Sequence, residues 1–300
     1  MTLLYYLTHL VLALALGFAS PTRAESEPHT IDESASSIFD LLKGKPLSME
    51  TLVSMMRAQD IVLLGERHDH PAHHLARAQL IQSLACAKCS IIAEHLPAGH
   101  QVLFSDSLLG ALESAGFDAK GWNWPLHEPL FRAIQLQNIT LLGGNISHTL
   151  TSDIFRRGKD AIPIDLLKEY NSSPLSDISR KKLDQDLKDG HCGQLSVQFL
   201  PPMRLIQRIK DASFAQLLAD HTPSLFIAGN GHVRKDYGVP QILAAIAPHL
   251  KILSIGFIEQ DDWTPESQHI LGDLYDVVWI SKNNPRSDPC KDFSAPHLKN

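Results

Sequence analysis

Short apolar runs that end in glycine or an acidic residue alternate with amphipathic stretches along most of this chain. Asp60-Ile-Val-Leu-Leu-Gly65 is the first such run and Ser90-Ile-Ile-Ala-Glu94 the second. Continuous apolar runs of this length, without polar alternation, are the pattern of strands buried on both faces. Further strands are predicted at 139–142, 224–228, 251–255 and 276–280. Between them, Ser48 as an N-cap with Glu50 in the first turn opens a helix to about Ala58. Pro71 to Leu84 sets Leu75, Leu80, Ile81 and Leu84 at helical spacing, and another helix is predicted near 126–138. Strands alternating with helices imply an α/β fold, a mostly parallel central sheet flanked by helices. Residues 150–222 break the rhythm: they are polar and helix-rich, with no strand pattern. They read as a helical insertion or lid, in which Pro201-Pro202 opens a helix running to about Ala219.

The N-terminus changes the picture from enzyme-like core to exported protein. Leu3 to Phe18 is almost entirely apolar, and Pro21-Thr22-Arg23-Ala24 offers a small-residue cleavage site before polar Glu25-Ser26-Glu27. Residues 1–24 therefore read as a signal peptide, residues 25–300 as one mature domain, and the destination as the periplasm. No Lys or Arg precedes the apolar run, and no cysteine stands at the cleavage site for a lipid anchor. The polar stretch 25–36 reads as a mobile lead into the domain. A net charge of −6 and a pI near 6.2 exclude a nucleic-acid partner of the usual basic kind. Four cysteines in an oxidising compartment tend to pair. Cys86-Ala-Lys-Cys89 closes a helix rather than opening one, so a local disulfide is expected there instead of a redox thiolate. Cys192 with Cys290 is a second candidate pair.

Histidine is in excess, at sixteen residues, and the histidines gather at strand ends, where open α/β sheets collect ligands. Gly65-Glu66-Arg67-His68-Asp69-His70 follows the first strand, Glu94-His95 ends the second, and Gly229-Asn230-Gly231-His232 follows the strand at 224–228. Unpaired polar groups at buried strand ends are costly, so a carboxylate and an imidazole there point to a site. Glu66 with His68, and His232 in its glycine-rich turn, carry this reading. His70, His73 and His74 read instead as a solvated helix start, although the four-residue spacing of His70 and His74 would also suit two metal ligands on one helix face. There is no Walker loop, nucleophile elbow, H-E-x-x-H or G-x-G-x-x-G. The C-x-x-C-H signature of covalent haem attachment is absent, because Ser90 follows Cys89.

Leu63-Leu-Gly-Glu-Arg-His-Asp-His-Pro-Ala-His-His74 resembles the opening motif of ChaN-type haem-binding proteins. Glu94, Asp189-Gly-His-Cys-Gly193, Gly229-Asn-Gly-His-Val-Arg234, Asp236-Tyr-Gly-Val-Pro240 and Asp288-Pro-Cys290 continue the resemblance in order over roughly residues 36–290. The resemblance implies an α/β protein that binds haem non-covalently at a homodimer interface and serves iron uptake with a receptor or transporter. It also implies a tyrosine on the iron and histidine or arginine on the propionates. Tyr237 is the first choice as iron ligand, with Tyr170 and Tyr275 behind it. His232, His68, His191, Arg234 and Lys235 are the candidates around the haem. The same superfamily includes Tiki proteases and erythromycin esterase-like enzymes. The alternative is thus a hydrolase, metal-dependent or His/Glu-based, in which Glu66, His68, Glu94 and His232 activate water, with a divalent metal as its cofactor. A cofactor-free adaptor would have no reason to gather these groups.

Overall fold

The computed structural model describes residues 36–261, 263–288 and 290–291. The expected signal peptide and all but the last residue of the polar stretch after it lie outside the described residues. Eight strands form one sheet: β1 (Ser36–Asp40), β2 (Lys45–Leu47), β3 (Ile61–Leu64), β4 (Ser90–Pro97), β5 (Thr140–Asn145), β6 (Ser224–Ile227), β7 (Ile252–Glu259) and β8 (Val277–Ser281). Their order is β2-β1-β8-β7-β3-β6-β4-β5. The six strands from β8 to β5 pair in parallel, while β1 runs antiparallel to both β8 and β2. The architecture is therefore the mostly parallel α/β sheet that the alternation implies. The β1–β2 edge hairpin is the part that the pattern did not predict.

Helices α1 (Met49–Arg57), α2 (Pro71–Leu84), α3 (Leu108–Ser114) and α4 (Glu128–Leu136) fill the connections of the first half. Ser48 caps α1 as expected, its side chain accepting the Thr51 N–H. Between β5 and β6 come α5 (His148–Arg157), α6 (Ile164–Ser172), α7 (Asp177–Gly190) and α8 (Leu200–Asp220), with no strand among the described residues there. The remaining helices are α9 (Asn230–Val233), α10 (Val239–Ile246) and α11 (Pro265–Gly272). Among the described residues no helix is long and apolar enough to cross a membrane.

Period-two alternation along the strands sorts the core into two layers. Val62, Leu64, Ile91, Ala93, Leu225 and Ile227 pack with α1 to α4. Ile61, Leu63, Ile92 and Phe226 pack with α8 and α10 on the other side. A smaller cluster of Ile146, Ile154, Ile162, Ile206 and Ile209 holds α5 and α6 against α8. Two disulfides are formed, Cys86–Cys89 just before β4 and Cys192–Cys290, which closes a separation of 98 residues beyond the end of α7.

Candidate functional site

β6 lies between β3 and β4 in the sheet, so three strand ends stand side by side. Glu66 and His68 follow β3, Gly229 and His232 follow β6, and Glu94 and His95 belong to β4. Gly229 is what lets the outer two approach: a Cβ there would come 2.8 Å from His68 Nε2 and 3.6 Å from Glu94 Oε2. Gly65 is equally constrained, since a Cβ would collide with the Asn230 side chain, which bonds the Phe257 backbone. Both Gly-x-x-His turns thus owe their glycine to close approach rather than to an unusual dihedral.

The four residues expected to converge do meet in one region, but they divide. His95 shares its side of β4 with Ile91 and Ala93, toward α2 and α4, while Glu94 shares the other with Ile92, toward α8.

On the first side, the fully buried carboxylate of Glu66 is the centre. Its Oε1 accepts the Nδ1–H of His68 at 2.6 Å and lies 3.5 Å from Nε2 of both His95 and His127. Its Oε2 faces the Arg77 guanidinium and, at 3.2 Å, His74 Nδ1. Burial lowers the Arg77 pKa to about 9, with the Glu94 charge opposing. Burial also holds His95 and His127 neutral, well below the usual imidazole range, with Arg77 and neighbouring rings adding to the effect. The Trp122 indole covers the group, its centroid 4.3 Å from that of His95 and 5.1 Å from that of His68.

The helix start at Pro71 is not solvated, contrary to expectation. His70, His73 and His74 are buried, because the first turn of α2 is tucked under the loop after β3. His73 Nδ1 accepts the Arg67 N–H at 3.0 Å, and His74 Nε2–H donates to the His68 carbonyl at 3.0 Å. Burial is the main cause that brings their pKa values down to about 2 and about 4. His70 caps α2 from outside it, stacks on His73 at 4.0 Å and reaches the Lys282 carbonyl. It does not pair with His74.

On the second side, Glu94 Oε2 accepts the Gly229 N–H at 2.8 Å, and Oε1 lies 3.4 Å from His232 Nε2. His232 Nδ1–H donates to Asp211 Oδ1 at 2.6 Å. Burial alone would lower the His232 pKa, but the charges of Glu94 and Asp211 outweigh it and raise the value to about 9. Burial opposes ionisation of Glu94, yet His232 holds it well below the usual carboxylate range.

An open cleft of about 690 Å³ lies over both sides, lined by Arg67, His68, Glu94, His232 and Tyr237, by Leu183, Asp186 and Leu187 of α7, and by Gln207 and Lys210 of α8. Tyr237 is buried except toward this cleft, where its hydroxyl donates to Asp186 Oδ2 at 2.5 Å. The Arg234 guanidinium sits 4.3 Å above its ring. Burial pushes the phenol pKa well up; Arg234 opposes this and Asp186 adds to it. Arg234 is engaged by Asp186 and Asp236, and Lys235 by Asp276. His191 stands at the end of α7, its Nδ1–H donating to the Leu187 carbonyl at 2.7 Å. Tyr170 lines a different pocket beneath Lys159, and Tyr275 packs in the core against Gly256.

Sequence reasoning missed Arg77, His127, Lys210 and Asp211. A signal existed for two of them. Arg77 stands in the stripe with Leu80, Ile81 and Leu84 of α2, and Asp211 in the stripe with Ala212, Ala215 and Leu218 of α8, both at helical spacing. A charged residue in an apolar stripe needs a partner.

No curated relative matches the chain significantly. Among solved structures, ChaN of Campylobacter jejuni, described as binding haem cofacially, aligns with a TM-score of 0.69 at 19% identity, covering 84% of this chain and 98% of that one. The type III effector HopBA1 aligns at 0.40 with 13% identity, covering 79% and 94%. A Bacillus cereus protein aligns at 0.41 with 13% identity, covering 79% and 92%. The family described as haem-binding uptake, Tiki superfamily, ChaN matches residues 52–243, which take in both Gly-x-x-His turns, Glu94 and Tyr237. On that match, which spans most of the chain, the protein belongs to the ChaN family of haem-binding uptake proteins.

Proposed function

We propose that this protein is a periplasmic haem-binding protein of iron acquisition, holding haem non-covalently in the strand-end cleft with Tyr237 as the iron ligand. The observation that carries the reading is the placement of the Tyr237 hydroxyl in the wall of that cleft, among His68, His232 and two apolar side chains of α7. The residues fit the group. Leu183 and Leu187 offer apolar contact to a macrocycle, and the glycines at 229 and 231 keep the floor open. Arg67, half exposed, and Lys210 supply cations for propionates. A phenolate suits ferric haem, and Arg234 above the ring is placed to balance its charge once Asp186 releases the hydroxyl. A second copy of the chain would close the open side, and the Campylobacter protein is described as binding haem cofacially. The apolar N-terminal run, which reads as a signal peptide, and the two disulfides support export to an oxidising compartment.

The hydrolase reading is less well supported. In its His/Glu form with His232 as the base, it asks that histidine to take a proton from water, and with its pKa raised to about 9 it already carries that proton at neutral pH.

Haemin titration of the chain from about residue 25, followed by absorbance and by sizing, tests the proposal. Saturation at one haem per chain with a shift to dimer is expected. A featureless, non-saturating titration would sink it.

A further inference from the structure

The geometry points to a second ligand site: Glu66, His68, His95 and His127 bind one divalent transition-metal ion of the zinc class beneath the cleft. The inference goes beyond haem binding and does not rest on it; of the four residues only Glu66 and His68 also line the cleft. Three segments of chain, the loop after β3, the strand β4 and the start of α4, bring four donor atoms to within 4.8 Å of one another. Three imidazoles and a carboxylate are a donor set that zinc-like ions take in tetrahedral geometry. Ligands about 2.1 Å from a tetrahedral ion stand roughly 3.4 Å apart. The 3.5 Å separations from Glu66 Oε1 to His95 Nε2 and His127 Nε2 match that spacing.

The site is built rather than accidental. His95 and His127 are 3% and 1% exposed, and no ring nitrogen of either has a hydrogen-bond partner among the described residues. Buried imidazoles left unpaired cost stability unless something meets their lone pairs. Both are held neutral, so those lone pairs are available. Glu66 turns one oxygen to the three rings while Arg77, itself hydrogen-bonded to His74 Nδ1, holds the other, which is how an outer group orients a ligating carboxylate. His68, with its side chain 47% exposed to the cleft, is the route of entry. Glu94 and His232 are not part of this set, because Asp211 and the Gly229 N–H already answer them.

The test uses the full mature chain, free of haem and stripped with a chelator. Zinc is titrated calorimetrically and cobalt by its visible spectrum. One equivalent of each should bind, cobalt with the intense bands of a tetrahedral site. His127→Asn and His95→Gln should each weaken binding by more than the roughly ten- to hundredfold that losing an outer group costs, while His232→Gln should change it less than about threefold. X-ray absorption of the zinc-loaded wild-type chain needs no variant to fold, and should report three imidazoles and one oxygen. Absence of stoichiometric binding, affinity unchanged in both histidine variants, or fewer than two imidazoles on zinc would each overturn the inference. Haemin binding, read separately, leaves the two proposals distinguishable.

Discussion

Glu94 and His95 are neighbours in one strand, yet they serve two regions of opposite character. On the α8 side, Glu94, His232 and Asp211 form a closed ionic chain, each charge answered by the next. On the α2 and α4 side, Glu66 faces the neutral rings of His95 and His127, which have no hydrogen-bond partner among the described residues. The pleat makes the division, since successive side chains leave opposite faces. The first region has both nitrogens of its imidazole facing carboxylates and leaves only Asp211 Oδ2 without a hydrogen bond, with Arg208 3.9 Å away. The second holds lone pairs in reserve, an arrangement that costs stability and is explained by a ligand.

The comparison is broken most forcefully by single substitutions of opposite sign. Asp211→Ala leaves a buried charged imidazole with one partner fewer and should cost about 3–5 kcal/mol in urea unfolding. His127→Leu removes an unsatisfied buried ring at similar volume and should stabilise the metal-free chain by about 1–2 kcal/mol. Two destabilisations of equal size would mean that the regions do not differ.

Their titrations also run in opposite directions. An unfolded histidine titrates near about pH 6.5. His73 and His74, at about 2 and about 4, refuse protons that the unfolded chain binds, so their contribution is complete above about pH 6.5 and lost as the pH falls toward 4. His232, at about 9, keeps a proton that the unfolded chain releases, so its contribution is complete below about pH 6.5 and lost as the pH rises to about 9. Unfolding midpoints across that range should fall on both limbs, and His232→Gln should flatten only the alkaline one.

The buried parallel strands were legible because apolar runs ended by Gly65, Glu94 or Gly229 have few other uses. The β1–β2 hairpin was not, because its short strands mix Ile38 and Phe39 with polar neighbours and pair only at the sheet edge. Within the site, Glu66, His68, Glu94 and His232 were visible from their positions at strand ends. Arg77, His127 and Asp211 belong to helices and a loop, and acquire meaning only when packing brings them to those ends. His73 and His74 were misjudged for the same reason: nothing local to Pro71 shows that the loop after β3 folds over the helix start.

The smallest expected effect belongs to Lys210. As a cation at the open wall of the cleft, with no ion pair among the described residues, it should contribute less than about 1 kcal/mol to haem affinity, and that contribution should fade with salt. Loss of binding in Lys210→Ala at high salt would place the propionates deeper than proposed.

The most direct test of the central claim compares haemin binding by the wild-type chain with Tyr237→Phe. This substitution removes only the hydroxyl that donates to Asp186. The account predicts loss of the tyrosinate-type ferric spectrum and an affinity at least about tenfold weaker, or about 1.4 kcal/mol. An unchanged spectrum and affinity would contradict Tyr237 as the iron ligand and move the haem to another part of the molecule.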